Sequence, residues 1–225
     1  MATSWDAIYI THGVIQPTPS MGVKELVPFL KEHGLQRVLD HCCGTGRHVR
    51  YLAEQGFDVV GIDNSAYGIS IAEQQCADLS GAELRVADMG AVPYPDRYFD
   101  AVLSVHGLQF GNKEQRSTAI NEISRVLRPN GVLYLTILSD QHPLYGQGTP
   151  VPDDPHSFDN LPLHGGFRHF FSEDELHDTL SGYGILSLEH VVSKPPEGGF
   201  FKIPLHEWRV LAVKTAYLGS ISGCN

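Results

Sequence analysis

The residues best suited to chemistry follow two short apolar runs. Asp40 and the pair Gly44 and Gly46 end the first run, and Asp63 ends the second. Two glycines let the backbone turn tightly and let a ligand lie against it without a Cβ in the way. A carboxylate at the end of the neighbouring strand can accept hydrogen bonds from both hydroxyls of a ribose. This spacing predicts a site for a nucleoside-bearing ligand.

Two other nucleotide sites use similar glycine turns, and the residues around Gly46 argue against both. A dinucleotide site requires a third glycine, but Val49 stands at that position. A Walker-type phosphate loop requires a lysine after the glycines, and none follows here. A nicotinamide-dependent oxidoreductase stays as the less favoured alternative, because the chain lacks a Tyr-x-x-x-Lys pattern for hydride transfer.

Short apolar runs alternate with helix-length amphipathic segments from about residue 22 to residue 138, which is typical of βαβ units around a parallel sheet. Strands are predicted at 37–40, 57–62, 83–86, 99–105 and 132–138. Helices are predicted at 23–33, 47–55, 66–78 and 113–127, the third capped by Ser65.

The chain after residue 139 changes in composition. The segment 140–169 is rich in proline and glycine, which predicts a long loop without regular elements. Such loops are usually functional in compact domains. A capping-box sequence at Ser172 predicts a short helix, and the segments 185–192 and 207–215 are predicted to pair as an antiparallel hairpin.

Several of these segments resemble the motifs of one family in order and spacing. The sequences VLDHCCGTGRHVRYLAEQGFDVVGIDNS at 38–65, VADMGAVPYPDRYFDAVLSVHGLQF at 86–110 and EISRVLRPNGVLYLTIL at 122–138 resemble class I S-adenosylmethionine (SAM) dependent methyltransferases of small-molecule type. The resemblance is strong over 36–138 and looser over 169–176 and the final hairpin. It implies an α/β, Rossmann-like, doubly wound sheet of seven mostly parallel strands with an antiparallel C-terminal hairpin.

The resemblance also implies which residues bind SAM and its product S-adenosylhomocysteine. The acidic and glycine residues of the first motif would line the methionine part, Asp63 would hold the ribose hydroxyls, and Asp88 would accept from the adenine amino group. The implied cofactor-binding set is Asp40, Gly44, Thr45, Gly46, Asp63, Asn64, Asp88, Met89, Ser104 and Val105.

Four residues of the first motif need separate mention. His41 follows the motif's Asp, and Cys42 stands where the family usually has a glycine. Arg47 and His48 begin the next helix, where they either reach the carboxylate of SAM or lie on an exposed first turn.

The residues that would contact the methyl acceptor are predicted from their positions along the chain. His106 ends the fourth strand, at the edge where ligands bind in open α/β sheets, and is the predicted catalytic residue, with a packing role as the alternative. The segments 5–20 and 140–168 are expected to form a lid over the acceptor. Further predicted substrate contacts are Tyr9, Tyr145, His169 and Phe170.

Four histidines lie in or beside the irregular segment, among aspartates, and these residue types could bind a metal. They are His142, His156, His164 and His169. Their spacing matches no zinc pattern, so no metal site is predicted.

The charge balance limits the partners. With 16 Lys+Arg against 26 Asp+Glu, the net charge of −10 disfavours nucleic acids and anionic membranes. The longest apolar stretch, 132–138, is far short of the ~20 residues that cross a bilayer. The N-terminal residues lack a basic region, and no CxxC occurs, so a cytoplasmic location is expected.

The sequence thus predicts one methyltransferase domain over 1–225. Its parts are an N-terminal lid and helix (1–35), a SAM-binding core (36–138), a substrate lid (139–169) and a C-terminal helix and hairpin (170–225). The predicted activity is transfer of the sulfonium methyl group to a small-molecule acceptor by in-line displacement, in a monomer or homodimer. A SAM-binding protein without catalysis is the alternative.

Overall fold

The structure is a computed structural model that describes residues 4–162, 166–194 and 203–215. Its strands are β1 (Arg37–His41), β2 (Asp58–Asp63), β3 (Ala82–Val86), β4 (Phe99–Val105), β5 (Leu127–Leu138), β6 (Thr149–Pro150), β7 (Ser157–Asp159), β8 (Arg168–His169), β9 (Tyr183–Ser193) and β10 (Leu205–Lys214). Its helices are α1 (Trp5–His12), α2 (Met21–Glu32), α3 (Arg47–Glu54), α4 (Ala66–Cys76), α5 (Lys113–Val126) and α6 (Glu173–Thr179), with a 3-10 turn at Leu108–Phe110.

Seven strands form the main sheet in the order β3-β2-β1-β4-β5-β10-β9. The first five strands are parallel, whereas β10 runs antiparallel to both β5 and β9. The predicted doubly wound sheet with a C-terminal hairpin is therefore confirmed. The strand order reverses between β1 and β4, and ligands bind at such a switch point, beside the carboxyl ends of the strands.

The sheet separates two hydrophobic cores because successive strand residues face opposite sides. Val38 packs with Leu26 of α2 and Leu52 of α3. The next residue, Leu39, belongs to the opposite core with Ile123 of α5. Burial on both faces explains the continuous apolar runs of the central strands.

Two serines cap the N-termini of α4 and α6 at the positions that the sequence predicts. Ser65 Oγ accepts from the backbone N–H of Gly68, and Ser172 Oγ accepts from that of Glu175. The Glu175 side chain does not complete the predicted capping box, because its carboxylate accepts from His169 Nε2 at 2.8 Å instead. None of the helices in the described ranges is long and apolar enough to cross a membrane.

The helix α5 ends before Pro129, as predicted, but β5 begins earlier than predicted. Leu127 already pairs with Phe99, and the next pair is Ala101 with Val132. Residues 128–131 therefore bulge out of the ladder, and Asn130 takes a positive φ of 61°. The turn that the sequence indicates is contained within the strand.

The segment 140–169 was predicted to lack regular elements, and that prediction is wrong. The strands β6, β7 and β8 form a small antiparallel sheet, in which Pro150 lies on the edge strand, where no N–H is needed. Phe158, Leu161 and Phe170 pack with Leu138 beneath it. Strands of two or three residues are too short for a periodicity signal, so the sequence pattern could not reveal them.

A buried ion pair fastens this segment to α5. Arg116 donates to both carboxylate oxygens of Asp154, at 2.6 and 3.1 Å, and to the carbonyl of Gly111 at 2.9 Å. Both charged side chains are less than a tenth exposed.

We expect Asp154→Asn to lower the free energy of unfolding by about 3 kcal/mol, because it leaves the Arg116 charge buried without its partner. Urea unfolding at neutral pH measures the loss. The control is Asp153→Asn, an exposed neighbour at φ 62° that asparagine tolerates, with an expected change within about 0.5 kcal/mol. Equal losses in both variants would contradict the anchoring role.

Candidate functional site

A cavity of about 390 Å³ opens at the carboxyl ends of β1, β2 and β4. Its volume lies within the range of small-molecule sites. The glycine turn after β1 forms one wall, and the residues after β2 and β3 form the next. The chain after β4 and the segment 139–169 form the opposite side.

The carboxylate of Asp63 organises the glycine turn. It accepts from the backbone N–H of Gly44 and from that of Ser65, each at 2.9 Å. Burial raises the pKa of Asp63, and these backbone hydrogen bonds oppose that rise. Asp63 and Asn64 both line the cavity, as the resemblance implies for the ribose site.

The two glycines of the turn have different roles. Gly44 (φ 56°) lines the cavity, and a Cβ on it would lie 2.6 Å from the hydroxyl oxygen of Tyr9. Gly46 (φ 85°) does not line the cavity, contrary to the prediction. A Cβ on Gly46 would lie 2.7 Å from the Cβ of Ala72, so this glycine lets α3 and α4 approach closely. Thr45, between them, lines the cavity as predicted.

Cys42 takes the backbone conformation that favours glycine, with φ 64°. This explains why the resembling family has a glycine there. The side chain of Cys42 is accommodated because Gly107 faces it, and a Cβ on Gly107 would lie 2.6 Å from the Cβ of Cys42. Burial raises the thiol pKa of both Cys42 and Cys43 well above the usual range, so both thiols are protonated at neutral pH.

Two residues of the predicted cofactor set lie behind the cavity wall. Asp40 is buried, its two carboxylate oxygens have no hydrogen-bond partner, and the Nδ1 atom of His48 lies 4.0 Å from its Oδ2. Burial raises the pKa of Asp40 to about 7, against the opposing charge of Arg47. Ser104 is fully buried, with its Oγ 3.4 Å from His41 Nδ1. The prediction that both contact the cofactor is therefore not supported for either side chain.

His41 contacts the chain after β3, which the resemblance assigns to the adenine. Its buried ring donates from Nε2 to the backbone carbonyl of Met89 at 2.9 Å. Asp88 and Met89 both line the cavity, and Asp88 Oδ1 also accepts from the N–H of Gly90. The unusual histidine of the first motif therefore holds the chain after β3 in place.

Arg47 and His48 face the cavity rather than solvent. The N–H of Ser20 donates to His48 Nε2 at 3.2 Å, and burial lowers the pKa of His48 well below its usual range. Its ring is therefore neutral, with the proton on Nδ1 toward Asp40. Arg47 forms no ion pair with a described carboxylate; its nearest polar contact is the carbonyl of Thr18 at 3.5 Å.

His106 and Val105 line the cavity at the end of β4. The His106 Nε2 atom lies 2.8 Å from a carboxylate oxygen of Glu207, and its Nδ1 lies 3.4 Å from the side-chain oxygen of Gln109. The Gln109 oxygen is identified by the Leu138 N–H that donates to it. Both ring nitrogens therefore face oxygen acceptors.

Glu207 is the residue that the sequence pattern missed. It is buried on β10 and also accepts from Arg209 Nε at 2.7 Å. Burial by itself would raise its pKa, but the hydrogen bonds from His106 and Arg209 outweigh burial and lower it. Only the pairing of β10 with β5 brings this carboxylate to the strand edge.

Of the four predicted substrate contacts, only Tyr9 lines the cavity, and it lies against the glycine turn rather than on the acceptor side. Phe170 is fully buried in the small core beneath β7 and β8. His169 is buried between Ser157 and Glu175. Tyr145 is 38% exposed and bonds to His156 outside the cavity. These three predictions are corrected.

The opposite side of the cavity combines apolar residues with polar and cationic ones. They include Phe110, Leu138, His142, Leu144, Leu161 and Arg168. The His142 Nδ1 atom accepts from the N–H of Leu144, and burial lowers the pKa of His142 to about 4. Its ring is therefore neutral, with its proton on Nε2.

The histidines considered for metal binding are dispersed. His142 lines the cavity, His156 bonds to Tyr145, and His169 bonds to Glu175. His164 lies outside the described residues. Across 4–162, 166–194 and 203–215, no three potential metal ligands form a group.

We expect Glu207→Gln to lower the free energy of unfolding at pH 7 by about 2 kcal/mol, through its lost charge-assisted hydrogen bonds. The folded-state pKa of Glu207 is lowered, so its contribution is full above the unfolded pKa of about 4.3 and is lost as the pH falls through the folded pKa. Denaturant unfolding at several pH values should show the difference shrinking below about pH 4.3. The exposed Glu189→Gln on β9 is the control, and a pH-independent loss would contradict this account.

Comparisons with known proteins agree with this geometry. A methyltransferase domain family matches residues 38–131. The chain is 34% identical over 149 residues to a malonyl-[acyl-carrier protein] O-methyltransferase of Enterobacter lignolyticus, covering 65% of this chain and 53% of that protein. It is 34% identical over 111 residues to a demethylmenaquinone methyltransferase of Renibacterium salmoninarum, covering 49% and 44%. The chain thus spans about half the length of these curated relatives.

A solved structure shares the fold. A SAM-dependent methyltransferase from Methanosarcina mazei superimposes with a TM-score of 0.70 at 24% identity, over 83% of this chain and 97% of that one. The matched domain contains the glycine turn, Asp63 and the end of β4. Residues 38–131 are therefore a methyltransferase domain. The similarity to named methyltransferases supports the class I S-adenosylmethionine-dependent type, with SAM as the cofactor, and the solved structure shares the fold.

Proposed function

We propose that this protein transfers the methyl group of SAM to a small-molecule acceptor bound between the end of β4 and the segment 139–169. The observation that carries the proposal is a single cavity with two chemically different sides. The side formed by Gly44, Asp63 and Asp88 is polar and acidic, whereas the described lining of the opposite side combines apolar side chains with uncharged polar and cationic ones and contains no carboxylate. A cofactor and an acceptor would meet between them.

Three features of the first side suit SAM. The Asp63 carboxylate is fixed by two backbone N–H groups and still faces the cavity, so it can accept from ribose hydroxyls. Arg47 has no described carboxylate partner and can hold the carboxylate of the methionine part. The buried Asp40 carboxylate, 4.0 Å from the His48 ring, favours positive charge nearby in its ionised form. When bound, SAM supplies an activated methyl group on a sulfonium.

Methyl transfer from a sulfonium depends mainly on positioning, which can supply on the order of 7–11 kcal/mol. In this proposal, His106 forms the wall beside the reacting atoms and is held by Glu207 and Gln109. Trp5, Tyr9 and Phe110 line the cavity, with the rings of Trp5 and Phe110 in edge-to-face contact at 4.7 Å between centroids. They would exclude water from the acceptor.

The relatives suggest two acceptors to test, because one is named for malonyl-[acyl-carrier protein] and another for demethylmenaquinone. The division of the chain into an N-terminal lid (1–35), a cofactor core (36–138), an acceptor segment (139–169) and a C-terminal hairpin region (170–225) is part of the proposal. A SAM-binding protein without catalysis is the alternative, and the presence of a second side of the cavity, opposite the proposed cofactor residues, favours an enzyme.

We expect SAM and S-adenosylhomocysteine to bind saturably in calorimetric titrations, and NADH not to bind. Asp63→Asn should weaken both interactions at least about tenfold, because it removes a charged hydrogen-bond acceptor. Asp58→Asn, at the exposed start of the same strand, is the control and should bind normally. Binding of NADH alone would overturn the proposal.

We expect S-adenosylhomocysteine to form when the protein is incubated with SAM and an accepted substrate, starting with the two acceptors above. His106→Asn should lower kcat/KM by about 100-fold, because the wall beside the reacting atoms is displaced. Tyr145→Phe, outside the cavity, should leave turnover unchanged. Equal turnover in all three proteins would contradict the role of His106, and SAM binding without turnover on any acceptor would favour the non-catalytic alternative.

A further inference from the structure

Arg168 is a cation on the acceptor side of the cavity, and it has no carboxylate partner among residues 4–162, 166–194 and 203–215. Its guanidinium carbon lies 4.2 Å from the centroid of the Phe110 ring, and its Nη1 donates to the carbonyl of Phe167 at 2.7 Å. No carboxylate in the described parts of the chain lies within 4 Å of it. Most other arginines behave differently, because Arg50, Arg85, Arg116, Arg125, Arg128 and Arg209 each pair with a carboxylate.

Burial of the Arg168 guanidinium without a described counter-ion lowers the stability of the folded state. Burial lowers its pKa to about 10, so it remains charged at neutral pH. A desolvated charge that lacks a counter-ion costs folding free energy, and an anionic ligand would offset that cost. Nη1 is occupied by Phe167, which leaves the Nε and Nη2 edge, a fork that matches both oxygens of a carboxylate.

The other cavity arginine serves the opposite side. Arg47 begins α3, next to the glycine turn and Asp40, where the proposed cofactor site lies. Arg168 lies on β8, beside Phe110. The two guanidinium groups therefore belong to different halves of the cavity, and a single carboxylate of SAM does not account for both.

The cavity histidines offer no base. Both ring nitrogens of His106 face oxygen acceptors, on Glu207 and Gln109. His142 and His48 each use one nitrogen to accept a backbone N–H, so each has its proton on the other nitrogen. His48 and His142 therefore present no free lone pair to an acceptor that must lose a proton, and the ring nitrogens of His106 lie against Glu207 and Gln109. An acceptor that arrives already ionised needs no base.

We propose that the methyl acceptor is a small organic carboxylate held by the Nε and Nη2 edge of Arg168. This inference rests on the proposed function in that the bound anion is the acceptor of that reaction. A carboxylate oxygen supplies the electron pair of the new O–CH3 bond, and the pair of the broken S–CH3 bond goes to sulfur. The products are a neutral methyl ester and S-adenosylhomocysteine, and no proton is transferred. The ester loses its ion pair with Arg168, which favours release.

Benzoate and methyl benzoate test this inference, since they have the same ring and differ in charge. Each is titrated into the protein with and without saturating S-adenosylhomocysteine, and binding is followed by calorimetry and by NMR shifts. Benzoate should bind saturably below about 10 mM, at least about tenfold more tightly than its ester. Inorganic phosphate is the third probe, and tighter binding of phosphate than of benzoate would overturn the carboxylate assignment.

The variants separate the charge of Arg168 from its packing. Arg168→Gln should weaken benzoate binding about tenfold and leave methyl benzoate unchanged, whereas Arg168→Lys should be intermediate because lysine lacks the fork. Arg37→Gln is the matched control, since Arg37 also stacks on a ring (Tyr98, 4.3 Å) and bonds one carbonyl, but is exposed outside the cavity. Unfolding midpoints check that each variant folds.

Three results would overturn the inference: no saturable benzoate binding, equal affinity for benzoate and its ester, or equal effects of Arg168→Gln and Arg37→Gln. The S-adenosylhomocysteine titration is a separate readout. If that nucleoside fails to bind while benzoate binds through Arg168, the proposed function fails and the anion site remains. If S-adenosylhomocysteine binds and benzoate does not, only the carboxylate inference fails.

Discussion

The site depends on one carboxylate, that of Asp63. By accepting from Gly44 and Ser65, it joins the turn after β1 to the start of α4. Ser65 Oγ in turn donates to Asp6, which also accepts from the N–H of Tyr67 and so fixes α1 to α4. The position of Tyr9 over the glycine turn follows from this chain of hydrogen bonds. Charge-assisted hydrogen bonds, buried at Asp63 and more exposed at Asp6, thus join these separate segments.

The second constraint comes from the C-terminal hairpin. Antiparallel pairing of β10 with β5 brings Glu207 beside His106, although about a hundred residues separate them in sequence. The same carboxylate binds Arg209, so it is compensated by two donors despite its burial. The Nε2 atom of His106 is thereby paired with a carboxylate, and the proposed role of this histidine at the strand end is to shape the cavity. This arrangement favours acceptors that need no deprotonation.

The net charge of the chain is negative, whereas one side of the cavity carries a positive charge. The chain has a net charge of −10, yet the acceptor side of the cavity carries Arg168 on the face of Phe110. The buried pair Arg116 and Asp154 fastens the segment from which Arg168 extends. A stable scaffold beneath a cationic side chain keeps the guanidinium in position for a ligand, because little reorganisation is required on binding.

The sequence by itself determined the parallel sheet, the glycine turn and the acidic end of β2, because hydrophobic periodicity and turn chemistry are local properties. It also indicated that Cys42 replaces a glycine, and the positive φ at that residue gives the reason. Tertiary structure decided the rest. Strand pairing places Glu207 beside His106. Phe170 lies in a small core and His169 is buried beside it. Arg168 lines the cavity because it lies on a strand that is too short to be detected in the sequence. These contacts join residues far apart along the chain, and local patterns do not encode such distances.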